Sequence, residues 1–415
     1  MKKSFFLVGV FWVLLIFLAG NCFGAGFALY EWSSRGNALG GTLIGRADDV
    51  STIAYNPAGL TSLPGIHAMF GLTAIAPKVD VKANGQTVCQ KDNIYFPPHF
   101  YLSTQLGPRY WIGIGEYSRF GLATDFPADW IGRFNAYYSS IKSYSIVPTL
   151  GIKFTDNLSL GFGFEVMYFE FIKKQKKNLG ALGEVDSKIK GDSVNYGFTI
   201  GLHYKPLDWL KIGAVYRSQV DHTVKGKATF DRPATLIAVH PDWFRDTTAQ
   251  GDISLPESYA LGLTVYPVSN LSIEADIIYT RWSSYKELVI EYGDDLMPPT
   301  GANVSKSKKD WKDCYRFQLG LEYQASKNLS LRASYIYDQT PIPDAHIDYM
   351  LPANNRHLFG LGMGYKWNAL TIDISYNYLQ YENRKIDARP DDNIYAGKLF
   401  NGHAHLVGLS VGYQF

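Results

Sequence analysis

Two histidines, His403 and His405, stand one residue apart in "NGHAHLVGLS" and share a face if that run is extended, the minimum for a metal site. No cysteine or carboxylate cluster stands beside them at ligand spacing, and the nine histidines are scattered over 415 residues. Neither a metal nor any other cofactor is therefore expected. Nucleophile and phosphate signatures (GxSxG, HExxH, GxxxxGK) find no match, so an enzyme is not expected either. "GIG" at 113–115 and "GLGMG" at 360–364 alternate glycine with apolar residues, which reads as close packing within strands rather than as nucleotide loops. Charge is left as the main chemical resource. Lys173, Lys174, Lys176 and Lys177 in "KKQKKNLGALGE" offer ammonium groups to a carboxylate. A solvated or lipopolysaccharide-facing charge run is the plainer reading of the same four residues.

The elements that must position these groups have period two rather than 3.6. In "LSIEADIIY", Leu271, Ile273, Ala275, Ile277 and Tyr279 oppose Ser272, Glu274 and Asp276. "LVGLSVGYQF" puts Val407, Leu409, Val411, Tyr413 and Phe415 on one face. Fourteen such runs follow: 65–82, 98–106, 110–119, 143–154, 158–174, 192–204, 209–230, 256–266, 270–292, 312–323, 328–340, 356–366, 369–386 and 403–415. Their connections alternate between short turns such as "GPR", "TDN" and "WN" and long segments at 83–97, 120–142, 175–191, 231–255, 293–311, 341–355 and 387–402. A large soluble all-β protein has no reason to sort its loops this way. An outer-membrane barrel does, with short periplasmic turns, long external loops and, for an even strand number, both ends on the periplasmic side. Strands can cross hydrocarbon only as a closed barrel.

Composition agrees: 29 Tyr, 24 Phe and 39 Gly accompany only 19% charged residues. A net charge of +2 without basic blocks gives no support to nucleic acid, and a mean hydropathy of −0.11 excludes a bundle of apolar helices. Tyr266, Trp282, Tyr323, Tyr337, Tyr365 and Trp367 sit at strand ends and fit interfacial girdles. By parity the lumen receives Glu165, Lys211, Arg217, Glu274, Asp276, Arg316, Glu322, Arg332, Asp338 and Asp373, together with the apolar Met167, Phe169, Val215 and Ile278. Apolar loops, "FPADWIGRFNAYYSSI" and "LIAVHPDWF", stand above that patched lumen and suggest capture of hydrophobic molecules.

Before the strands, Lys2 and Lys3 precede "FFLVGVFWVLLIFLAG", the layout of a secretory signal peptide spanning residues 1–24. A membrane anchor is the rival, but the apolar run is short for a span. Cys22 leaves with such a signal, and Cys89 and Cys314 then remain as two thiols or one bridge. In "DDVSTIAYNPAGL", Asp48 or Asp49 can cap a short helix whose Val50, Ile53 and Ala54 share a face. Pro57 ends that helix by pushing Asn56 out of the α region.

Several stretches resemble the FadL/TodX type of outer-membrane transporter for long-chain fatty acids and aromatic hydrocarbons. They are "AGFALYEWSSRGNALGGTLIGRADDVSTIAYNPAGL", "FGLATDFPADWIGRF", "WKDCYRFQLGLEY" and "YDQTPIPDAHIDYMLPANNRHLFGLGMGYKW", spread over nearly the whole mature chain. The resemblance implies an all-β fold: a fourteen-stranded antiparallel transmembrane barrel over residues 65–415, with a partly helical hatch of residues 25–64 in its lumen. It implies passive uptake of a hydrophobic small molecule, taken first by a groove of external loops, here 175–191 and 231–255. The ligand then moves to a lumen pocket plugged by Ala25, Gly26 and Phe27. Asn56, Pro57 and Ala58 match the hatch motif. Exit would be sideways into the bilayer beside a kinked third strand, 110–119, with Ser118, Arg119 and Gly121 near the bend and Gly113 and Gly115 leaving room in the wall. The partners implied are the cargo, fatty acid or aromatic hydrocarbon, and outer-membrane lipid, with the barrel acting as a monomer. A receptor or adhesin-like barrel with a static plug is the alternative.

Overall fold

The computed structural model describes residues 26–415; the signal-peptide reading of 1–24 and the tip residue Ala25 lie outside them. Fourteen antiparallel strands close into a barrel. The first six are β1 (Ile66–Ala83), β2 (Pro98–Gln105), β3 (Tyr110–Tyr117, resumed at Gly121–Asp125), β4 (Tyr138–Lys153), β5 (Leu158–Asn178) and β6 (Glu184–Leu207). Four interrupted strands follow: β7 (Leu210–Arg217, Val220–Asp231), β8 (Thr247–Leu255, Ser258–Val268), β9 (Leu271–Thr280, Glu287–Tyr292) and β10 (Val304–Lys308, Cys314–Gln324). The last are β11 (Leu329–Asp338), β12 (Arg356–Trp367), β13 (Leu370–Tyr381, Arg384–Ile386) and β14 (Gly397–Gln414). β14 closes onto β1 in the register Phe70↔Val411 and Leu72↔Leu409, so no edge remains there.

Alternation does the sorting. On β6, Tyr196, Phe198, Ile200 and Tyr204 face outward and exposed, while Gly197, Thr199 and Gly201 face in. The outer belt is what hydrocarbon requires, and the ladders between neighbouring strands pair the backbone amides within it. Among the described residues no helix is long and apolar enough to cross a membrane; the strands do so.

The strands run further outward than the sequence pattern suggested. β4 starts at Tyr138, and β6 starts at Glu184, so most of the expected loop 175–191 is ladder with a tip of only a few residues. β8 begins at Thr247, and the chain before it holds a short helix, Ala234–Val239. Polar side chains such as Lys188 and Lys190 hide a strand from a hydrophobic-period reading once it leaves the lipid. Two of the expected girdle residues are corrected as well. Trp282 is fully buried in the lumen, and Tyr266 faces inward beneath Lys211, whose Nζ lies 5.1 Å from its ring centre. Cys89, exposed, and Cys314, buried, are free thiols.

Candidate functional site

Residues 26–64 fill the lumen as two short helices, α1 (Ser34–Ala38) and α2 (Thr52–Tyr55), and a 3-10 turn, Pro57–Ser62. Ser33 caps α1 by accepting from the Gly36 amide at 3.0 Å. Thr52–Tyr55 ends where Asn56 turns extended, and the Asn56 side chain then caps the 3-10 turn by accepting from the Ala58 amide. The Asn56 Nδ2 donates to the carbonyls of Ile44 at 2.7 Å and Leu202 on β6 at 3.0 Å. Gly161 and Gly201 on the inner wall make the slot for this Asn-Pro-Ala turn. A Cβ on Gly201 would stand 2.2 Å from Asn56 Oδ1, and one on Gly161 2.2 Å from the Ala58 nitrogen.

Charge fastens the same segment to the wall. Glu274 of β9 accepts from the amides of Gly45 at 2.7 Å and Arg46 at 2.8 Å, and pairs with the Arg46 guanidinium at 3.3 Å. Both side chains are fully buried. Arg35 bridges Asp48, Asp49 and Glu322 at 2.7, 2.8 and 2.9 Å, and Glu322 also holds Arg332 at 2.6 Å. Arg217 donates to the carbonyls of Ala54 and Tyr55 and stacks 4.9 Å over Trp32.

The tip of the segment is held differently. Phe27 sits among Trp282, Trp311, Phe120 and Tyr285, with ring centres 4.8, 5.6, 5.9 and 6.4 Å away. The interruptions of β9 and β10 bring three of these rings inward: Trp282 starts the turn after Thr280, and Trp311 lies in the gap before Cys314. Gly26 has φ +56°, and a Cβ there would meet both indoles within 2.9 Å, so only glycine fits. The indole N–H groups of Trp282 and Trp311 are buried without a hydrogen-bond partner.

The same tip reaches the break in β3. Beyond Tyr117, β3 loses β2 as a neighbour and stays paired only with β4, from Gly121↔Lys142 to Asp125↔Tyr138. The vacated edge is taken by the tip. Leu29 N donates to Arg119 O at 2.8 Å, Gly121 N donates to Phe27 O at 2.9 Å, and Trp32 Nε1 donates to Ser118 O at 2.8 Å. Arg119 is anchored by Glu165 at 2.5 Å. A cavity of about 240 Å³ runs past this break, lined by Phe27 and Leu406 from the lumen, Tyr95 and Phe96 from the chain before β2, and Tyr144 from the outer face.

Gly113 and Gly115 belong elsewhere. Both lie in unbroken ladder with β2 and β4, and the room they leave is filled by Ile53 of α2, which a Cβ on either would meet at 2.8 Å. The break in β3 falls at 118–120, between its two segments paired with β4. The four lysines divide by parity. Lys173 and Lys177 face in, whereas Lys174 lies 5.1 Å over Tyr138 and Lys176 pairs with Glu184 at 3.4 Å on the outside. Lys173 stands beyond the lipid belt beside the buried Lys309–Asp348 pair. Burial, reinforced by Lys177 and Lys309, lowers its pKa to about 7.

Loop aromatics expected to meet cargo mostly pack on one another. Phe126 stacks on Trp130 at 4.5 Å, which abuts Tyr349 at 4.7 Å, and Phe244 covers Phe230. Ile237 and Val239 on the short helix stay exposed. His403 and His405 face the outer surface, where His405 Nδ1 shares a 2.8 Å hydrogen bond with the Tyr376 hydroxyl. Among the described residues no cluster suits a metal. The sequence reading missed Phe120, Tyr285, Trp311, Lys309 and Asp348. For Tyr285, Trp311 and Lys309 the visible signal was the aromatic and lysine density of "RWSSYKE" and "KKDWKDC", at strand ends where girdle residues also collect; Phe120 and Asp348 carried none.

Fold and site together define an outer-membrane transport barrel with its lumen filled by its own N-terminal segment. The sequence profile of the family described as "Outer membrane protein transport protein (OMPP1/FadL/TodX)" matches residues 15–415, and the chain belongs to that family. Membership makes it an outer-membrane transport protein and not an enzyme. It is similar to the "Long-chain fatty acid transport protein" of Salmonella typhi, 24% identical over 446 residues and 100% of both chains. Among solved structures, a FadL homologue from Pseudomonas aeruginosa superposes with a TM-score of 0.84 at 19% identity, covering 94% of this chain and 100% of that one. The toluene transporter TodX of Pseudomonas putida gives 0.73 at 17%, covering 94% and 99%.

Proposed function

We propose that the chain carries hydrophobic small molecules passively inward, with release sideways through the break in β3. Residues 26–64 act as a hatch whose tip, Gly26 and Phe27, occupies the ligand pocket. The observation that carries this is the hydrogen bonding of Phe27 and Leu29 to Gly121 and Arg119, because the group filling the pocket also seals the wall. A ligand that displaces Phe27 from its aromatic box also removes the strand that closes the opening. Each buried methylene contributes about 0.8 kcal/mol, enough for an apolar chain to compete with one phenylalanine. Relatives named for long-chain fatty acids and for toluene bracket the cargo class. Lys173, inward and without a carboxylate within ion-pairing distance among the described residues, favours a monocarboxylate with a long apolar tail. Pocket, plug and opening all lie within one chain, so a monomer suffices.

Uptake of labelled oleate and of toluene in cells lacking their own transporter tests the reading. The full chain should restore oleate uptake, and replacing Gly121 by Trp, which would crowd Leu29, should abolish it. Equal uptake in complemented and empty-vector cells would overturn transport and favour a receptor barrel with a static plug.

A further inference from the structure

We propose that the outer face of β4 to β7, just above the bilayer, is a docking surface for the phosphate groups of outer-leaflet lipopolysaccharide. The ladder fixes which side chains stand together. On β6 the exposed apolar residues end at Tyr196 and Val194, and Asp192, Lys190 and Lys188 follow on the same face. At the level of Val194, Tyr168 of β5 and Tyr144 of β4 lie in register, their rings stacked 6.5 Å apart, and mark the edge of the lipid.

Three rows stand above that edge. Lys142, Glu170, Asp192 and Lys225 form the first, Lys190 and Lys227 belong to the second, and Lys174 and Lys188 to the third. Within these three rows six lysines against two carboxylates leave four positive charges, in a chain whose whole net charge is +2; the row beyond them, Lys176, Asp186 and Asp231, takes back one of the four. Glu170 is already engaged, at 2.9 Å from Lys190 and 3.8 Å from Lys142. Lys188, Lys225 and Lys227 form no ion pair among the described residues.

Two cross-strand pairs, Lys190↔Lys227 and Lys174↔Lys188, set lysine directly opposite lysine. Like charges so placed destabilise a sheet unless an anion lies between them. The anion available at this height is the headgroup of the surrounding leaflet, whose acyl chains lie against Phe162, Phe164 and Phe198 below. Each cationic side chain near an anionic lipid surface adds to the attraction, so the rows act together. A carboxylate cargo is the poorer occupant, because these side chains point away from the lumen. The inference rests on the outer-membrane placement and is independent of the route proposed for cargo.

Detergent-purified protein would be titrated with bisphosphorylated lipid A and with dephosphorylated lipid A of the same acylation, bound lipid being counted by native mass spectrometry. Two variants accompany it: Lys174, Lys188, Lys190, Lys225 and Lys227 all changed to Gln, and, as control, Lys153, Lys205 and Lys327 at the opposite rim changed to Gln. The milder K188Q/K227Q pair covers any loss of folding in the first variant. The five-fold variant should bind the bisphosphorylated lipid at least about tenfold more weakly, with an effect that shrinks in high salt. The control and the dephosphorylated lipid should show no change. Unchanged binding of bisphosphorylated lipid A, or no preference for it in the unmodified protein, overturns the proposal. So does loss of oleate binding with lipid A binding intact, which would make the patch a funnel for cargo.

Discussion

The N-terminal segment is held in the barrel by two kinds of contact. Residues 34–63 are fixed by buried ion pairs and by an asparagine turn set into a glycine slot. Residues 26–29 are held by four aromatic rings and two backbone hydrogen bonds to the break in β3. A buried ion pair losing one partner leaves an uncompensated charge, which costs several kcal/mol and has no graded alternative. Ring contacts are non-directional, and an apolar ligand can replace them one for one. On the proposed route the lower part stays and the upper part exchanges, though they are consecutive in one chain.

The largest expected break of this contrast is Glu274→Ala. It strands Arg46 and removes acceptors from two amides, so denaturant or thermal unfolding should show a loss of about 3–5 kcal/mol. A leak to small hydrophilic solutes in liposome swelling should accompany it. Gly201→Ala pushes a methyl against Asn56, and overpacking of about 1–3 kcal/mol is expected in the same assay, again with leak. If either variant stayed sealed and stable, the lower part would be no more fixed than the tip.

Lys173, inward on β5, sharpens the contrast through its charge. Its lowered pKa means the unfolded chain binds more protons between about 7 and the ordinary lysine value of 10.5. Stability from this group therefore rises with pH across that window and is lowest below it. A bound carboxylate reverses the preference and draws a proton in. Oleate affinity should consequently fall by up to about tenfold per pH unit above 7, and K173M should flatten that profile in calorimetric titrations. The smallest global effect belongs to Phe27→Ala. Amide exchange at Leu29 and Gly121 should accelerate, while the unfolding free energy falls by less than for Glu274→Ala, because local release of the tip caps the loss. A global loss matching that of Glu274→Ala would erase the distinction between the two regions.

Much of this was legible in the residues. Period-two alternation found part of each of the fourteen barrel strands but not outward extensions such as Thr247–Leu255 and Val304–Lys308, and parity sent Glu165, Arg217, Glu274, Arg316 and Asp338 inward, where all are buried. Parity also separates Lys173 from Lys174, a division left undrawn because the four lysines straddle the boundary set between the run 158–174 and the loop 175–191. Trp282 shows the limit. A tryptophan at a strand end suits a membrane girdle and a lumen box equally well, and only the interruption of β9 after Thr280 turned it inward. Gly113 and Gly115 show the same limit, since a glycine announces room but not the occupant, here Ile53.

By itself the sequence determined the barrel, its strand count and its facing, and resemblance to the family pointed to the segment that enters it. The first three follow from local rules: side chains alternate at every residue, and backbone amides in hydrocarbon must pair with a neighbour. Which residues meet across the lumen was decided by tertiary structure alone. Phe27 touches Phe120, Trp282 and Trp311, and Glu274 grips Arg46, because closing the barrel and threading the segment through it fix those distances together. No periodicity along a chain encodes a contact between residues more than two hundred positions apart.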